Sequence, residues 1–188
     1  MCDYRVMKSE EAELIAGCLK GDRKAWKALY ERYAPQMYGV CLRYARTDAA
    51  AEDVLQEGFI KVFESLGRLK KSESLGAWIR QIMVWTAINS YKREHPIAST
   101  ETATESEPVN EREEAHIMSG MDIEHTRRAI NELPTRYRMV FNLCAVEEYG
   151  VDEVAEMLGI ERVSVRSDLS RARQMLIVKL KQYLKEQQ

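Results

Sequence analysis

The chain has 188 residues, of which 45% are hydrophobic and 31% charged, and its formal net charge is −2 with a sequence pI near 6.0. That length allows one domain or two small ones, and the composition is ordinary for a protein with buried cores. The longest mostly apolar run, residues 82–88, is far shorter than the roughly 18 residues that span a bilayer, and the start MCDYRVMKSEE is acidic, unlike a signal peptide. We therefore expect a cytoplasmic protein with no membrane insertion.

Cysteine and histidine placement argues against metal or catalytic chemistry. The four cysteines form no CxxC pair, and Cys18, Cys41 and Cys144 lie among apolar residues at helical spacing, so we expect reduced core thiols. The sequence has no glycine-rich phosphate loop, and its three histidines lie in or beside one polar segment. We predict no cofactor, no metal site and no catalytic residue.

The amino-terminal half shows helical periodicity. Apolar residues recur every three or four positions over residues 26–44, and a later helix is predicted over about residues 75–93. We expect Pro35 to open a second helix at its first turn rather than lie inside one. No stretch alternates with period two for long enough to indicate a sheet, so this half is predicted to be an all-α bundle.

The stretch DAAAEDVLQEGFIKVF, residues 48–63, predicts a helix with two distinct faces, capped by Asp48. One side is apolar and needs a core: Leu55, Phe59, Val62 and Leu66. The other side is a carboxylate stripe that contains an isoleucine: Asp53, Glu57, Ile60 and Glu64. Burial in a core accounts for the apolar side, whereas the acidic side must face a partner or solvent.

Charge is segregated along the chain. Residues 1–93 carry a net charge of +4, residues 94–125 carry −8, and residues 126–188 carry +2. The middle segment is rich in Ser, Thr and Pro and has almost no apolar periodicity. We predict two small helical domains, residues 1–93 and 122–188, joined by a flexible acidic linker.

A helix-turn-helix is predicted in the carboxy-terminal half. The short helix VDEVAEML, residues 151–158, ends at Gly159, and a long helix follows over about residues 162–184. The second helix has an apolar inner stripe of Val165, Leu169, Ala172 and Leu176. Its outer face carries donors suited to DNA: Arg166, Ser167, Ser170 and Arg171. An ordinary helical hairpin with a solvated face is the alternative.

Both halves resemble one known family. The first half resembles the σ2 domain of bacterial extracytoplasmic-function (ECF) sigma factors in LIAGCLKGDRKAWKALYERYAPQMYGVCLRYARTDAAAEDVLQEGFIKVF and GAWIRQIMVWTAINSYKRE. The second resembles the σ4 domain in LPTRYRMVFNLCAVEEYGVDEVAEMLGIERVSVRSDLSRAR, in a style nearest to versions common in Bacteroidetes. The resemblance implies a sigma-70 family sigma factor, a non-catalytic subunit that binds core RNA polymerase and directs promoter-specific initiation.

The resemblance also implies a partner for the acidic stripe. In the family the corresponding helix docks on the clamp helices, a basic coiled coil of the large polymerase subunit. This implies polymerase-binding roles for Asp53, Gln56, Glu57 and Ile60. Further implied partners are the polymerase flap, promoter DNA and an anti-sigma factor, which holds many family members inactive. A solvated acidic helix face is the alternative.

Minus-ten recognition is implied for the loop at residues 67–74 and the helix after it, which in the family take a flipped base. The residues implied are Arg68, Lys70, Lys71, Trp78 and Trp85. Exposed rings can stack on bases, but core packing is the alternative for Trp78. Trp85 stands where close relatives carry asparagine, which alters the strand contacts or the local packing.

Minus-thirty-five recognition is implied for Arg166, Ser167, Ser170 and Arg171. Relatives carry a basic or amide residue where this chain has Asp168, and we expect this carboxylate to lie near DNA. There it would weaken nonspecific binding or accept a bond from a cytosine amine. An autonomous helix-turn-helix regulator is the alternative function, but it would be expected to have a basic surface, unlike this slightly acidic chain.

Overall fold

The computed structural model describes residues 4–69, 74–95 and 123–186, and every regular element in these ranges is helical, which confirms the all-α prediction. The first helices are α1 (Tyr4–Leu19), α2 (Arg23–Tyr44), α3 (Asp48–Ser65) and α4 (Leu75–Glu94), with a 3-10 turn at Leu66–Arg68. The later helices are α5 (Ile123–Asn131), α6 (Thr135–Phe141), α7 (Val151–Leu158) and α8 (Arg162–Glu186), with a π-helical segment at Asn142–Val146.

The chain divides into two compact units, Met1–Tyr91 and Lys92–Gln188. Helices α1 to α4 belong to the first unit, apart from the last turn of α4, and α5 to α8 belong to the second. Nearly all of the predicted linker, residues 94–121, lies outside the described residues.

Helix α2 passes through Pro35 without a break, so the expectation of a new helix at this proline is wrong. Proline lacks an N–H, and the helical bond to the Glu31 carbonyl is therefore lost. Glu31 and Pro35 are both exposed, so water can bond to that carbonyl. Tyr33 and Met37, on either side of the proline, are buried at 7% and 1% exposure. Packing on both sides of Pro35 thus holds the helix in one piece.

Helix α3 is capped by Thr47, and the prediction that Asp48 is the N-cap is wrong by one residue. Thr47 has extended backbone, and its Oγ1 accepts a hydrogen bond from the backbone N–H of Ala50 at 3.1 Å. Asp48 instead occupies the first turn, where its carboxylate is favoured by the helix dipole.

The apolar side of α3 forms part of the amino-terminal core, as predicted. Leu55, Phe59, Val62 and Leu66 are between 0% and 7% exposed. At Gly58 the helix approaches α4 closely, because a Cβ there would overlap the Met83 side chain. Burial of this side leaves the opposite side of α3 facing outward.

Three cysteines are free thiols in the described residues. Cys18 and Cys41 are buried, and Cys144 is half-buried. Burial raises the pKa of the Cys41 thiol to about 12, so this thiol stays protonated and unreactive at neutral pH. These observations agree with the predicted core thiols.

The helix-turn-helix forms with the predicted boundaries. Helix α7 ends at Gly159, which adopts the left-handed conformation with φ of 70° and donates its N–H to the Ala155 carbonyl at 2.8 Å. Helix α8 begins three residues later, and its inner residues Val165, Ala172 and Leu176 are at most 1% exposed. Burial of this inner stripe fixes which side of α8 faces outward.

Candidate functional site

The outer face of α3 presents three of the four side chains predicted to bind polymerase. Asp53 and Gln56 are exposed, and Ile60 is 57% exposed. Their spacing of three and four residues places them on one side of the helix. The face therefore combines an apolar side chain with a polar rim, an arrangement found in protein interfaces.

Glu57, the fourth of these residues, is half-buried and already paired. Lys61 Nζ lies 2.6 Å from Glu57 Oε1 and donates a second bond to Thr86 Oγ1 at 3.2 Å. Thr86 lies on α4 with 0% exposure, so Lys61 is anchored between α3 and α4. A cation from a partner must share the Glu57 carboxylate with Lys61. The i, i+4 spacing of this pair was visible in the sequence and would have predicted it.

Four aromatic rings line the junction of α2 and α3. Trp26 stacks on Phe63 with centroids 5.0 Å apart and planes 6° apart, and Tyr30 meets Phe59 at 4.7 Å. The indole Nε1 of Trp26 donates to the Cys18 carbonyl at 2.7 Å. Trp26 and Tyr30 remain 39% exposed, so helical periodicity did not distinguish these edge residues from the core.

The predicted minus-ten residues are only partly described. Arg68 is exposed at the end of the 3-10 turn, whereas Lys70 and Lys71 lie outside the described residues. Trp78 is half-buried and Trp85 is 40% exposed. Seven residues correspond to about two helical turns, so both tryptophans lie on one side of α4, roughly 10 Å apart along its axis.

The predicted minus-thirty-five residues lie off the buried stripe of α8, and Arg171 is beside Tyr137 of α6. Arg166 is exposed, and Ser167, Ser170 and Arg171 are half-buried. Val163, at 60% exposure, stands on the same side one turn before Ser167. The start of α8 therefore presents arginines, hydroxyls and one apolar side chain.

Asp168 does not face outward with them, so the interpretation of this residue as a DNA-facing carboxylate is wrong. It is 3% exposed, and its Oδ2 accepts a bond from Arg136 Nε at 2.6 Å. Asp168 follows Val165 by three residues and precedes Ala172 by four, which places it on the buried stripe. That spacing was readable in the sequence, whereas its partner on α6 was not.

The far end of α8 is held to α5 by a second polar cluster around Glu132. Its carboxylate accepts bonds from Lys179 Nζ at 2.8 Å, from the Tyr183 hydroxyl at 2.8 Å and from Arg128 Nε at 3.2 Å. These bonds, that of Lys179 first, lower the pKa of the Glu132 carboxyl, and burial opposes them only partly.

The described residues contain no group of three His, Cys, Asp or Glu side chains placed to hold a metal ion. In the same part of the chain, no helix combines the length and apolarity needed to cross a membrane.

Comparison with known proteins identifies the family. Residues 29–96 match the model for sigma-70 region 2, and residues 124–176 match the model for sigma-70 region 4. The chain is 28% identical over 168 residues to the ECF RNA polymerase sigma factor SigM of Mycobacterium tuberculosis, covering 88% of this chain and 82% of that protein. It is 26% identical over 196 residues to the RNA polymerase sigma-H factor of Pseudomonas aeruginosa, covering 95% and 98% respectively.

A solved structure of the sigma factor RpoE with the anti-sigma factor NepR from Bartonella quintana aligns with 84% of this chain and 98% of its own, at 20% identity and a TM-score of 0.47.

Together the two region models cover more than half of the 188 residues, in the order expected of a sigma factor. The chain belongs to the sigma-70 family of RNA polymerase sigma factors, in its ECF group. It is a sigma factor that binds core RNA polymerase and promoter DNA and directs transcription initiation. An autonomous helix-turn-helix regulator is not favoured, because such a protein has no need of a region 2 domain.

Proposed function

We propose that the two halves of the chain divide the tasks of a sigma factor. Residues 1–93 form the σ2-like domain, which binds core polymerase and recognises and melts the minus-ten element. Residues 122–188 form the σ4-like domain, which recognises the minus-thirty-five element. Residues 94–121 form the linker between the two domains and carry most of the excess negative charge of the chain. The positions of the region 2 and region 4 matches support this division.

The outer face of α3 is proposed as the surface that binds the clamp helices of the large polymerase subunit. Its residues are Asp53, Gln56, Glu57 and Ile60. The observation that carries the proposal is the 57% exposure of Ile60 between polar neighbours on a helix whose other side is buried. Carboxylates complement a basic coiled coil and speed its encounter, while the isoleucine supplies apolar area to bury.

Minus-ten contacts are assigned to Arg68, Lys70, Lys71, Trp78 and Trp85. The half-exposed ring of Trp85 offers more area for stacking than the half-buried ring of Trp78. We therefore propose Trp85 as the principal base-stacking residue, with the three basic side chains following the strand backbone.

Minus-thirty-five contacts are assigned to Arg166, Ser167, Ser170 and Arg171. The outward side of α8 supports this assignment, because short hydroxyl side chains allow close approach to a groove while arginines reach phosphate or guanine. Asp168 is not part of this surface, since its carboxylate is buried against Arg136.

The remaining proposals concern the location of the protein, its further partners and its branch of the family. We propose that the protein acts in the cytoplasm, where polymerase and DNA are, and that it catalyses no reaction of its own. The polymerase flap is proposed to receive the σ4-like domain, and an anti-sigma factor is proposed as a regulatory partner. The style of the motifs supports an origin in a Bacteroidetes-like branch of the ECF group.

Reconstitution tests the function as a whole. Purified chain and core polymerase are combined on a library of genomic fragments, and run-off transcripts are sequenced. We expect co-purification with core polymerase, transcripts from a small promoter set, and little specific retention of duplex DNA by the free chain. Tight sequence-specific binding without polymerase would favour the autonomous regulator instead.

Charge reversal tests the α3 surface. Asp53→Lys is expected to weaken polymerase binding, because it places a cation against a basic partner. Glu31→Lys is the matched control, since Glu31 is an exposed acid that lies on α2 and not on α3. Equal loss with both variants would indicate a general charge effect and remove α3 from the interface.

A further inference from the structure

Two polar contacts join the start of α6 to α8. Arg136 Nε donates to Asp168 Oδ2 at 2.6 Å, and Arg171 Nη1 donates to the Tyr137 hydroxyl at 3.3 Å. Arg136 and Tyr137 are consecutive residues, and Asp168 and Arg171 lie one helical turn apart. The first turn of α6 thus contacts α8 at two successive levels.

Tyr137 is itself held firmly. Its ring is half-buried and packs against the core cluster of Ala129, Leu133, Phe141, Ala172, Leu176 and Leu180. A ring fixed by core packing places its hydroxyl at a defined point, unlike the end of a long surface side chain. The hydroxyl therefore provides a fixed acceptor beside α8.

A fixed acceptor restricts the conformations of the Arg171 side chain. An arginine side chain has several rotatable bonds, and ordering it on a DNA target costs conformational entropy. A guanidinium has five N–H donors, so the bond to Tyr137 occupies one of them. Holding Arg171 before DNA arrives lowers the entropy lost on binding.

The Arg136–Asp168 pair has a different part in the same arrangement. The Asp168 side chain is 4% exposed and the Arg136 side chain 31% exposed. A shift of α8 along α6 would separate the buried Asp168 carboxylate from the Arg136 guanidinium, and the cost of leaving that buried charge uncompensated opposes the shift. The pair fixes the helix, while Tyr137 fixes one side chain on it.

We propose that Tyr137 is a positioning residue for promoter recognition, which holds the Arg171 guanidinium in the orientation that binds the minus-thirty-five element. This inference rests on the proposed assignment of Arg171 to that element. Tyr137 acts through Arg171 and makes no base contact itself. The sequence pattern that marked the outer face of α8 gave no indication of it, because the tyrosine lies 34 residues away.

Tyr137→Phe tests the inference, because it removes the hydroxyl and keeps the ring that packs in the core. Run-off transcription by reconstituted holoenzyme is measured on paired templates that differ only in an intact or scrambled minus-thirty-five element. We expect a loss of about three- to tenfold on the intact template, the range for one hydrogen bond to a charged group, and no loss on the scrambled one. The melting temperature is expected to stay unchanged.

Tyr183→Phe is the matched control. It removes another hydroxyl from the same unit, one that donates to Glu132 at the far end of α8. We expect similar activity of this variant on both templates. A loss specific to the intact template in Tyr183→Phe, equal to that in Tyr137→Phe, would overturn the inference, because any loosening of α8 would then suffice.

A double-mutant cycle with Arg171→Ala separates the inference from the assignment on which it rests. If Tyr137 acts through Arg171, Tyr137→Phe has no further effect in the Arg171→Ala background. An undiminished effect there would overturn the inference and leave the Arg171 assignment standing. An Arg171→Ala variant with normal use of the intact template would overturn the assignment, and the inference with it.

Discussion

The outer faces of α3 and α8 carry opposite charge, yet on each helix an internal ion pair holds a side chain of the other sign. On the acidic α3, Lys61 binds Glu57 and the buried hydroxyl of Thr86. On the basic α8, Asp168 binds Arg136. In each case the side chain whose charge is opposite to that of the face is bound to another residue of the same domain.

The two pairs differ in depth. The side chains of Lys61 and Glu57 are 38% and 33% exposed, whereas that of Asp168 is only 4% exposed. A solvated pair contributes little to stability, but a buried pair cannot lose one partner without leaving an uncompensated charge. We conclude that the α3 pair adjusts the charge of a surface, while the α8 pair fixes the position of a helix.

The largest expected effect comes from removing the cation that is paired with the buried carboxylate. Arg136→Met should lower the free energy of unfolding by about 3 kcal/mol, because the Asp168 side chain is only 4% exposed and its charge loses this counterion. Urea denaturation followed by circular dichroism measures this. The double variant Arg136→Met/Asp168→Leu is the control and should recover most of the loss. If the single variant is as stable as the parent chain, the α8 pair contributes no more to the free energy of unfolding than the α3 pair does.

Ile60 and Val163 provide a matched pair of exposed apolar residues, at 57% and 60% exposure, one on each face. Ile60→Asp should weaken binding to core polymerase by about 30-fold, the effect of losing an interface hot spot near 2 kcal/mol. Val163→Asp should leave core binding unchanged and lower only the use of promoters that need the minus-thirty-five element. Fluorescence anisotropy with labelled chain measures the first effect. Similar core binding by both variants would contradict the proposal that the α3 face binds polymerase and the α8 face binds DNA.

Arg171→Ala should lower transcription from promoters that depend on the minus-thirty-five element by about tenfold, the cost of one lost arginine–guanine contact. Core binding should not change, since Arg171 lies on α8. Run-off assays with saturating sigma factor measure the effect. An unaltered promoter set would place the base contacts elsewhere on the second unit.

Lys61→Gln should raise the association rate with core polymerase about two- to threefold at low salt, because it removes a cation from the acidic face. Stability should change little, since the pair is about one-third exposed. Stopped-flow mixing over a range of salt concentrations measures the rate. A slower association would show that Lys61 serves the interface by orienting Glu57.

The Glu132 cluster should give the smallest effect. Its carboxyl pKa is lowered in the folded chain from the usual 4.5, so its contribution to stability is present above that pH and is lost as pH falls through the lower folded value. Glu132→Gln should therefore melt at a lower temperature than the parent chain near neutral pH, and the difference should shrink as the pH falls below the usual carboxyl pKa of 4.5 and through the lower folded value. A difference that is constant with pH would assign the effect to packing.

Local patterns predicted most of the helical structure. The boundaries of α7 and α8 and the buried side of α3 follow from apolar spacing and from Gly159, features that operate within a few residues. Two local predictions were wrong. Thr47, and not Asp48, caps α3, because its backbone is extended and its hydroxyl accepts the bond from the first turn. Pro35 lies inside α2 because tertiary packing outweighs the loss of one helical hydrogen bond.

The outer faces were predicted less completely. Exposure of Asp53, Gln56, Ile60 and Arg166 agrees with what helical periodicity indicated. The prediction for Asp168 was wrong because its spacing from Val165 and Ala172 places it on the buried stripe of α8, where it is 3% exposed. Nothing local predicted Tyr137 beside Arg171.

The sequence by itself determined the helices, the helix-turn-helix, the segregation of charge and the family, because all of these depend on residues close together in the chain or on motif order. Tertiary structure alone decided which charges are available to partners. The contacts of Lys61 with Thr86, Arg136 with Asp168 and Tyr137 with Arg171 join residues 25 to 34 positions apart. Such contacts depend on which helices meet and at what level, and packing of the apolar faces sets both.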